Sequence, residues 1–344
     1  MTRNDGTSWM RATGWGLLGL LSLAACGGGG GEPCEGASCD ADGGAGDAGA
    51  DGGGGGPSLP EATVGGSTRA DDPFGQRGGT AADYACLGMS TVPDEAGTPG
   101  EFTLVVQDFE TGDPVPDLCL AFYADNQVPA SDECTDTSPR TDDMGRVSVS
   151  DVEGSWYAYR VFPKEGTTPA NTYVGSIQVN EPAPADGGRT EASAIALSTV
   201  NLIPTALGLT RAPGTALVAG RVVDCGDENV HGVIVRVYEA DGTPVPEGAA
   251  SDPEAVHYRF FDGSGALPSA EQPYTHVDGL YGVLNLPVPA SGGEFFIEAW
   301  GRRAGDAEPV LLACERIRAF PDVVNIVNLT PLRADAPACP GLGG

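Results

Sequence analysis

Val230-His-Gly-Val-Ile-Val-Arg-Val237 and Thr275-His-Val-Asp-Gly279 decide the fold of this chain. Val233, Val235 and Val237 recur with a period of two, the period that puts β-branched side chains on one face of a strand. The second segment ends in Asp-Gly, a hairpin turn signal, and leads into the strand Leu280 to Leu286. The same order occurs earlier. Leu118, Leu120 and Phe122 alternate, and Thr141-Asp-Asp-Met-Gly145 leads into Arg146 to Ser150. Val115 corresponds to Val230, an offset of 115, and Thr141 to Thr275, an offset of 134. The second copy therefore carries a longer insertion, 239–274 against 123–140 in the first.

Working outward, short apolar runs separated by Gly, Pro and Asp fill both copies. In the first, Phe102 to Val106, Trp156 to Phe162 and Tyr173 to Val179 read as strands around the turn Glu110-Thr-Gly-Asp-Pro114. In the second, Leu217 to Val223, Glu294 to Trp300, Val310 to Cys314 and Val323 to Leu329 do so around Asp224-Cys-Gly-Asp-Glu-Asn229. Many short strands at regular turn spacing predict an all-β protein of two tandem antiparallel β-sandwiches. Residues 181–193 are rich in Pro, Gly and acids and read as a linker. A short helix is predicted over 199–208, with Thr199 as N-cap, Gly208 just past its end and Pro204 inside it.

Ahead of the copies the grammar changes. Arg3 and Arg11 precede a nine-residue apolar run, Trp15 to Leu23, and the small residues Ala24 and Ala25. That is the layout of a secretory signal, and the run is far short of the ~20 residues of a membrane-spanning helix. Residues 27–58 hold 15 Gly and six acids, a composition too poor in apolar surface to offset its ordering entropy. They read as a disordered tether, with a root-mean-square reach of roughly 40 Å for its ~50 residues. Asp40-Ala-Asp-Gly43 has the start of a calcium loop, but Ala45 and Asp51 stand where that loop needs Gly and Glu, so the plain acidic spacer is preferred. The predicted organisation is signal 1–25, tether 26–83, sandwich 84–182, linker with helix 183–211, sandwich 212–335 and tail 336–344.

Leu23-Ala24-Ala25-Cys26 resembles the lipobox of bacterial lipoproteins, which implies lipidation of Cys26, a membrane partner, and a cell-envelope site, with Gly27 favouring the outer membrane. The repeated block is similar to the carboxypeptidase regulatory-like domain over roughly 100–165 and 215–300. It runs from strand to Gly/Asp turn, through Pro114-Val-Pro116 or Val230-His-Gly232, to a Val-rich strand and Thr141 to Gly145 or Thr275 to Gly279. That resemblance implies a transthyretin-like sandwich. A glycine–acid tether followed by such modules also looks like sets of lipoproteins in myxobacteria.

The net charge of −30 over 344 residues excludes nucleic acid as a partner, because the chain would be repelled by phosphate, and it favours solubility. Beyond Cys26, eight cysteines remain, an even number that favours disulfides in an exported chain. Cys34 with Cys39, Cys119 with Cys134, and Cys225 with Cys314 are the preferred pairs, leaving Cys86 and Cys339. His231, His257 and His276 stand at no metal-ligand spacing, and no nucleophile elbow or phosphate loop occurs. No cofactor or metal is expected. Tyr258, Tyr274, His257 and His276 invite comparison with intradiol dioxygenases, whose fold is similar, but the closely spaced His pair of that family is missing. An internal Lys–Asn isopeptide bond, as in some adhesin sandwiches, would have only Lys164 to draw on.

Two aromatic groups are candidate binding surfaces for a polysaccharide or protein partner. One is Trp156, Tyr157 and Tyr159 on one strand, for which packing in the sandwich core is the preferred reading. The other is Tyr258, Arg259, Phe260 and Phe261 in the insertion, where Val256 to Phe261 reads equally as an extra edge strand. The expected role is a non-enzymatic binding or display module of the envelope. The alternatives are a structural stalk, or an accessory of (or cryptic) metal enzyme.

Overall fold

A computed structural model describes residues 80–89, 338–342, and 100–334 apart from short gaps at 125–127, 130–133, 151–155, 168, 170–171, 185–186, 263–267, 305 and 307. It also describes the pairs 63–64, 67–68 and 76–77. Cys26, Cys34, Cys39 and most of the tether lie outside the described residues. Four two-residue strands, β1 (Thr63–Val64), β2 (Ser67–Thr68), β3 (Gln76–Arg77) and β4 (Thr80–Ala81), form two small antiparallel pairs.

The first repeat builds β5 (Phe102–Asp108), β6 (Leu118–Ala124), β7 (Arg146–Val149), β8 (Trp156–Pro163), β9 (Tyr173–Val174), β10 (Ser176–Pro182) and β11 (Arg189–Ala196). After helix α1 (Leu197–Ala206), the second builds β12 (Thr215–Arg221), β13 (Ile234–Glu239), β14 (His257–Phe261), β15 (Pro268–Ser269), β16 (Leu280–Pro287), β17 (Gly293–Gly301), β18 (Val310–Ala319) and β19 (Val324–Val327). The chain is all-β, as predicted.

The sheets divide differently from the repeats. One eight-stranded sheet runs β15-β14-β16-β12-β19-β10-β8-β6, through both copies. Its seam is β19, which lies parallel to β10 on one side and to β12 on the other. A four-stranded sheet, β7-β5-β11-β9, covers the first-repeat half, and a three-stranded sheet, β13-β17-β18, covers the second. Phe102, Leu104, Val106, Leu118, Leu120, Tyr157, Tyr159 and Val161 fill the core beneath the four-stranded sheet. Val233, Val235, Val237, Tyr258, Phe260, Tyr281, Val283 and Ile297 fill the core beneath the three-stranded one. Ala158, Ile177 and Val179 turn to the opposite face from Tyr157 and Tyr159 and join this second core, so β8 is buried on both sides. The repeats are thus two sandwiches fused through one continuous sheet.

The duplication is visible bond by bond. The Thr141 and Thr275 hydroxyls accept from the backbone N–H of Leu118 and Val233, each at 3.0 Å. Val106 and Val222 donate to the carbonyls of Gly145 and Gly279, and accept from Val115 and Val230. Both glycines have positive φ, +68° and +66°, and a Cβ there would meet the Val106 carbonyl oxygen at 2.4 Å or the Val222 carbonyl oxygen at 2.7 Å. The motif needs glycine for two reasons, backbone handedness and closeness of a neighbouring strand. Gly145→Ala and Gly279→Ala are each expected to lower stability by about 2 kcal/mol, read as a fall in urea midpoint. Parallel falls would mark the two turns as equivalent, and an unchanged midpoint in either would break the equivalence.

Three expectations are corrected here. Residues 181–193, expected as linker, contain most of β11, a central strand parallel to β5. Its small core residues Ala192 and Ala194 pack in a core that already holds Phe102, Tyr157 and Tyr159, so it carries no strong apolar signal. The helix starts two residues before Thr199 and is capped by Ala196, which has no side-chain acceptor to offer, while the Thr199 hydroxyl, inside the helix, donates to the Glu110 carboxylate. At its other end the prediction for Gly208 holds: Gly208 has φ +69°, and Gly208 and Leu209 donate to the Thr205 and Pro204 carbonyls in a Schellman closure. Around Val200 the helix packs on Val174, Ile195 and Val324, at the junction of the two sandwiches.

The third correction concerns cysteines. Cys119 pairs with Cys134, but Cys225 pairs with Cys86 and Cys314 with Cys339. Cys225 lies in the turn after β12, whereas Cys314 belongs to the outer-face cluster of the three-stranded sheet, so the expected Cys225–Cys314 pair does not form.

Candidate functional site

Most of the candidate aromatics are core. Tyr258 and Phe260 point into the second core at 6% and 4% exposure, and Tyr159 is 1% exposed in the first. The Tyr258 hydroxyl donates to the Val245 carbonyl at 2.7 Å and accepts from the Val237 N–H at 3.3 Å, tying the insertion to β13. Phe261 and Trp156 are half-buried. The Arg333 guanidinium lies over the Trp156 ring at 4.5 Å. The insertion therefore serves as the edge strands β14 and β15 rather than as an aromatic patch.

Arg259 faces away from Tyr258, as alternation requires, and organises a small polar cluster. It donates to Glu247 Oε1 at 2.6 Å, to the Tyr258 carbonyl at 2.6 Å and to His257 Nδ1 at 3.0 Å. Guanidinium has no acceptor, so Nδ1 of His257 must accept, and Nε2 carries the proton that it donates to the Asp252 carbonyl at 2.8 Å. His257 is fully buried in this neutral form with both nitrogens engaged. Tyr258 and His257 leave β14 on opposite faces, and Tyr274 belongs to the outer-face cluster. The dioxygenase-like set is therefore not assembled. Among the described residues, no three His, Cys, Asp or Glu side chains converge to hold a metal ion. Lys164 is at the surface, 2.7 Å from Asp136, whose carboxyl it holds below the usual range.

Sequence reading did not find the polar seam. Glu181, 4% exposed, sits in the irregular β8–β10 pairing and reaches the end of β19. Its Oε1 accepts from Gln178 at 2.5 Å and from Asn328 at 3.3 Å, and Gln178 accepts from the Tyr159 hydroxyl at 2.6 Å. The preceding residue, Asn180 (φ +59°), donates to Glu315 of β18 at 2.6 Å. Two successive first-repeat residues thus lock onto the second repeat. Burial pushes the Glu181 carboxyl up to about 7, against the lowering hydrogen bonds from Gln178 and Asn328 and the charge of Arg221.

Two straps converge on the second sandwich. At the first, Cys86 is bonded to Cys225, Cys225 N–H donates to the Asp83 carbonyl and Asp83 N–H to Asp224, both at 2.8 Å, and Tyr84 is buried. Gly88 N–H also donates to Leu332, whose own N–H donates to Leu312 of β18. At the second, Cys339 is bonded to Cys314 and Gly341 N–H donates at 2.8 Å to the buried Glu298, which also accepts from the Trp300 indole at 2.8 Å. Burial raises the Glu298 carboxyl, against the pull of those two donors.

This is an all-β sandwich protein held, among the described residues, by three disulfides, which belong to an oxidising compartment outside the cytoplasm. Among the described residues no helix is long and apolar enough to cross a membrane. No protein-family model matches the chain, and no curated protein matches it. Among solved structures it is similar to the shaft pilin SpaA of Lactobacillus rhamnosus GG (12% identity, TM-score 0.19, covering 68% of this chain and 98% of the pilin). It is also similar to the major pilin SpaD of Corynebacterium diphtheriae (11%, TM-score 0.19, 64% of each chain). A third is the major pilin subunit BcpA of Bacillus cereus (8%, TM-score 0.18, 68% and 69%). At such scores these likenesses carry no argument, and the fold class rests on the strands themselves.

Proposed function

We propose that this chain is an envelope-anchored lipoprotein whose fused sandwiches act as a non-enzymatic display module for a polysaccharide or protein partner. The observation that carries the reading is the shared sheet. Strand β19 joins β10 and β12 into one rigid unit, which suits holding a surface in place better than moving parts for turnover. The lipobox at Leu23 to Cys26 supplies the anchor, and several acyl chains on Cys26 satisfy the need of stable anchoring for more than one. The outer membrane is the proposed site.

Cys26→Ser is expected to abolish incorporation of labelled palmitate and to release the protein from the membrane fraction. Continued labelling of the serine variant would end the anchoring half of the proposal. The display half is tested by pull-down from native membranes: one co-purifying envelope protein or polysaccharide, retained after mild washing, is expected. A purified protein that turns over a substrate without any partner would overturn it.

A further inference from the structure

We infer that the Cys86–Cys225 bond is a covalent bypass that carries tension from the N-terminal side of the chain directly into the second sandwich, leaving the first outside the path. The bond spans 139 residues. That interval encloses every strand of the first sandwich, the junction helix and β12. The bypass is seated as well as bonded. Asp83 exchanges two hydrogen bonds with the turn at Asp224 and Cys225, Cys86 N–H lies 3.0 Å from the Cys225 sulfur, and the Tyr84 ring is packed in the second core. Gly88 is pinned to Leu332, and the segment past Leu332 is clipped to the same sheet by Cys314–Cys339.

Both described ends of the chain are therefore fastened to one sandwich. A pull applied between them crosses Cys86–Cys225 and never enters residues 87–224. The first sandwich is held by the seam at β10 and β19 and by its two chain connections, none of which lies in line. It is a side arm that keeps its shape under tension, and whatever it presents stays presented. This deepens the display reading, yet the two fail separately, since the bypass does not involve Cys26.

The experiment is single-molecule pulling of the full chain with handles at positions 81 and 342. Oxidised protein is expected to yield only the second sandwich. The pair Cys86→Ser and Cys225→Ser should add 139 residues less the 15 still closed by Cys119–Cys134, about 430 Å of contour at ~3.5 Å per residue. Reductant in the same trap opens all three bonds and should add the full 139 together with the 25 closed by Cys314–Cys339, about 570 Å. The pair Cys314→Ser and Cys339→Ser should add only 25 residues, about 90 Å. Equal total extension in oxidised wild type and in the Cys86/Cys225 variant would overturn the inference. Should the variant fail to fold, the reduced wild type tests the same bypass: a gain of only the ~90 Å of the Cys314–Cys339 loop would overturn it.

Discussion

Replacing Cys86 and Cys225 together by serine is expected to lower unfolding free energy by about 5 kcal/mol, the chain-entropy value for a closed loop of this length. The loop spans 139 residues, the largest of the three among the described residues. The 15-residue Cys119–Cys134 loop is worth about 3 kcal/mol on the same scale. The ordering of the two variants is therefore a prediction in itself. Guanidinium titration of both double-serine proteins measures it. The strap makes the larger effect physical, because without the bond Tyr84 keeps its buried place only through Asp83, Gly88 and local packing. A loss below about 1 kcal/mol for the Cys86/Cys225 variant would show that the strap does not restrain the unfolded chain.

The second large effect is on pH. The Glu181 carboxyl, ordinarily near 4.5, is raised to about 7 in the folded chain. Between those values the folded state keeps a proton that the unfolded chain has released. Stability is therefore full below about pH 4.5, falls as pH rises toward 7, and then levels off. The span corresponds to about 3 kcal/mol. Glu181→Gln retains an acceptor for Gln178 and Asn328 and removes the charge, so its stability should lose this slope and exceed wild type above pH 7. Urea unfolding at pH 5, 6, 7 and 8 gives the comparison. Asp227, Asp278 and Glu298 are also raised by burial and contribute slope of the same sign, so the difference between the two proteins is the quantity to read. Identical slopes would place the buried proton elsewhere.

What was legible in the sequence was local. Thr141 and Gly145, Thr275 and Gly279, and the alternating valines report turn chemistry and strand period, which act over a few residues. They located the repeats. The parallel pairing of β10 and β12 with β19 left no trace, because a parallel neighbour is chosen by the whole fold. Glu181 and Asn180 looked like ordinary residues of a Pro-rich stretch, since a buried carboxylate is recognisable only once its donors from β10 and β19 are in place. Tyr258 and Phe260 read equally as a surface patch or as an edge strand, because aromatic composition does not say which face is covered. The cysteine count predicted disulfides, but the 105 pairings open to eight cysteines are decided by tertiary distance.

The place of β19 bears on how the protein is made. Ser176 of β10 faces Val324 of β19 across 148 positions of sequence. A chain leaving a translocation channel from its N-terminus delivers every residue of the first repeat long before that partner arrives. Until then β10 exposes an unpaired edge, a template for association with other chains. Distant pairing of this kind also makes folding slow. The first sandwich is therefore completed only when β19, the last of the described strands, arrives, and its open edge must stay clear of other chains during the wait.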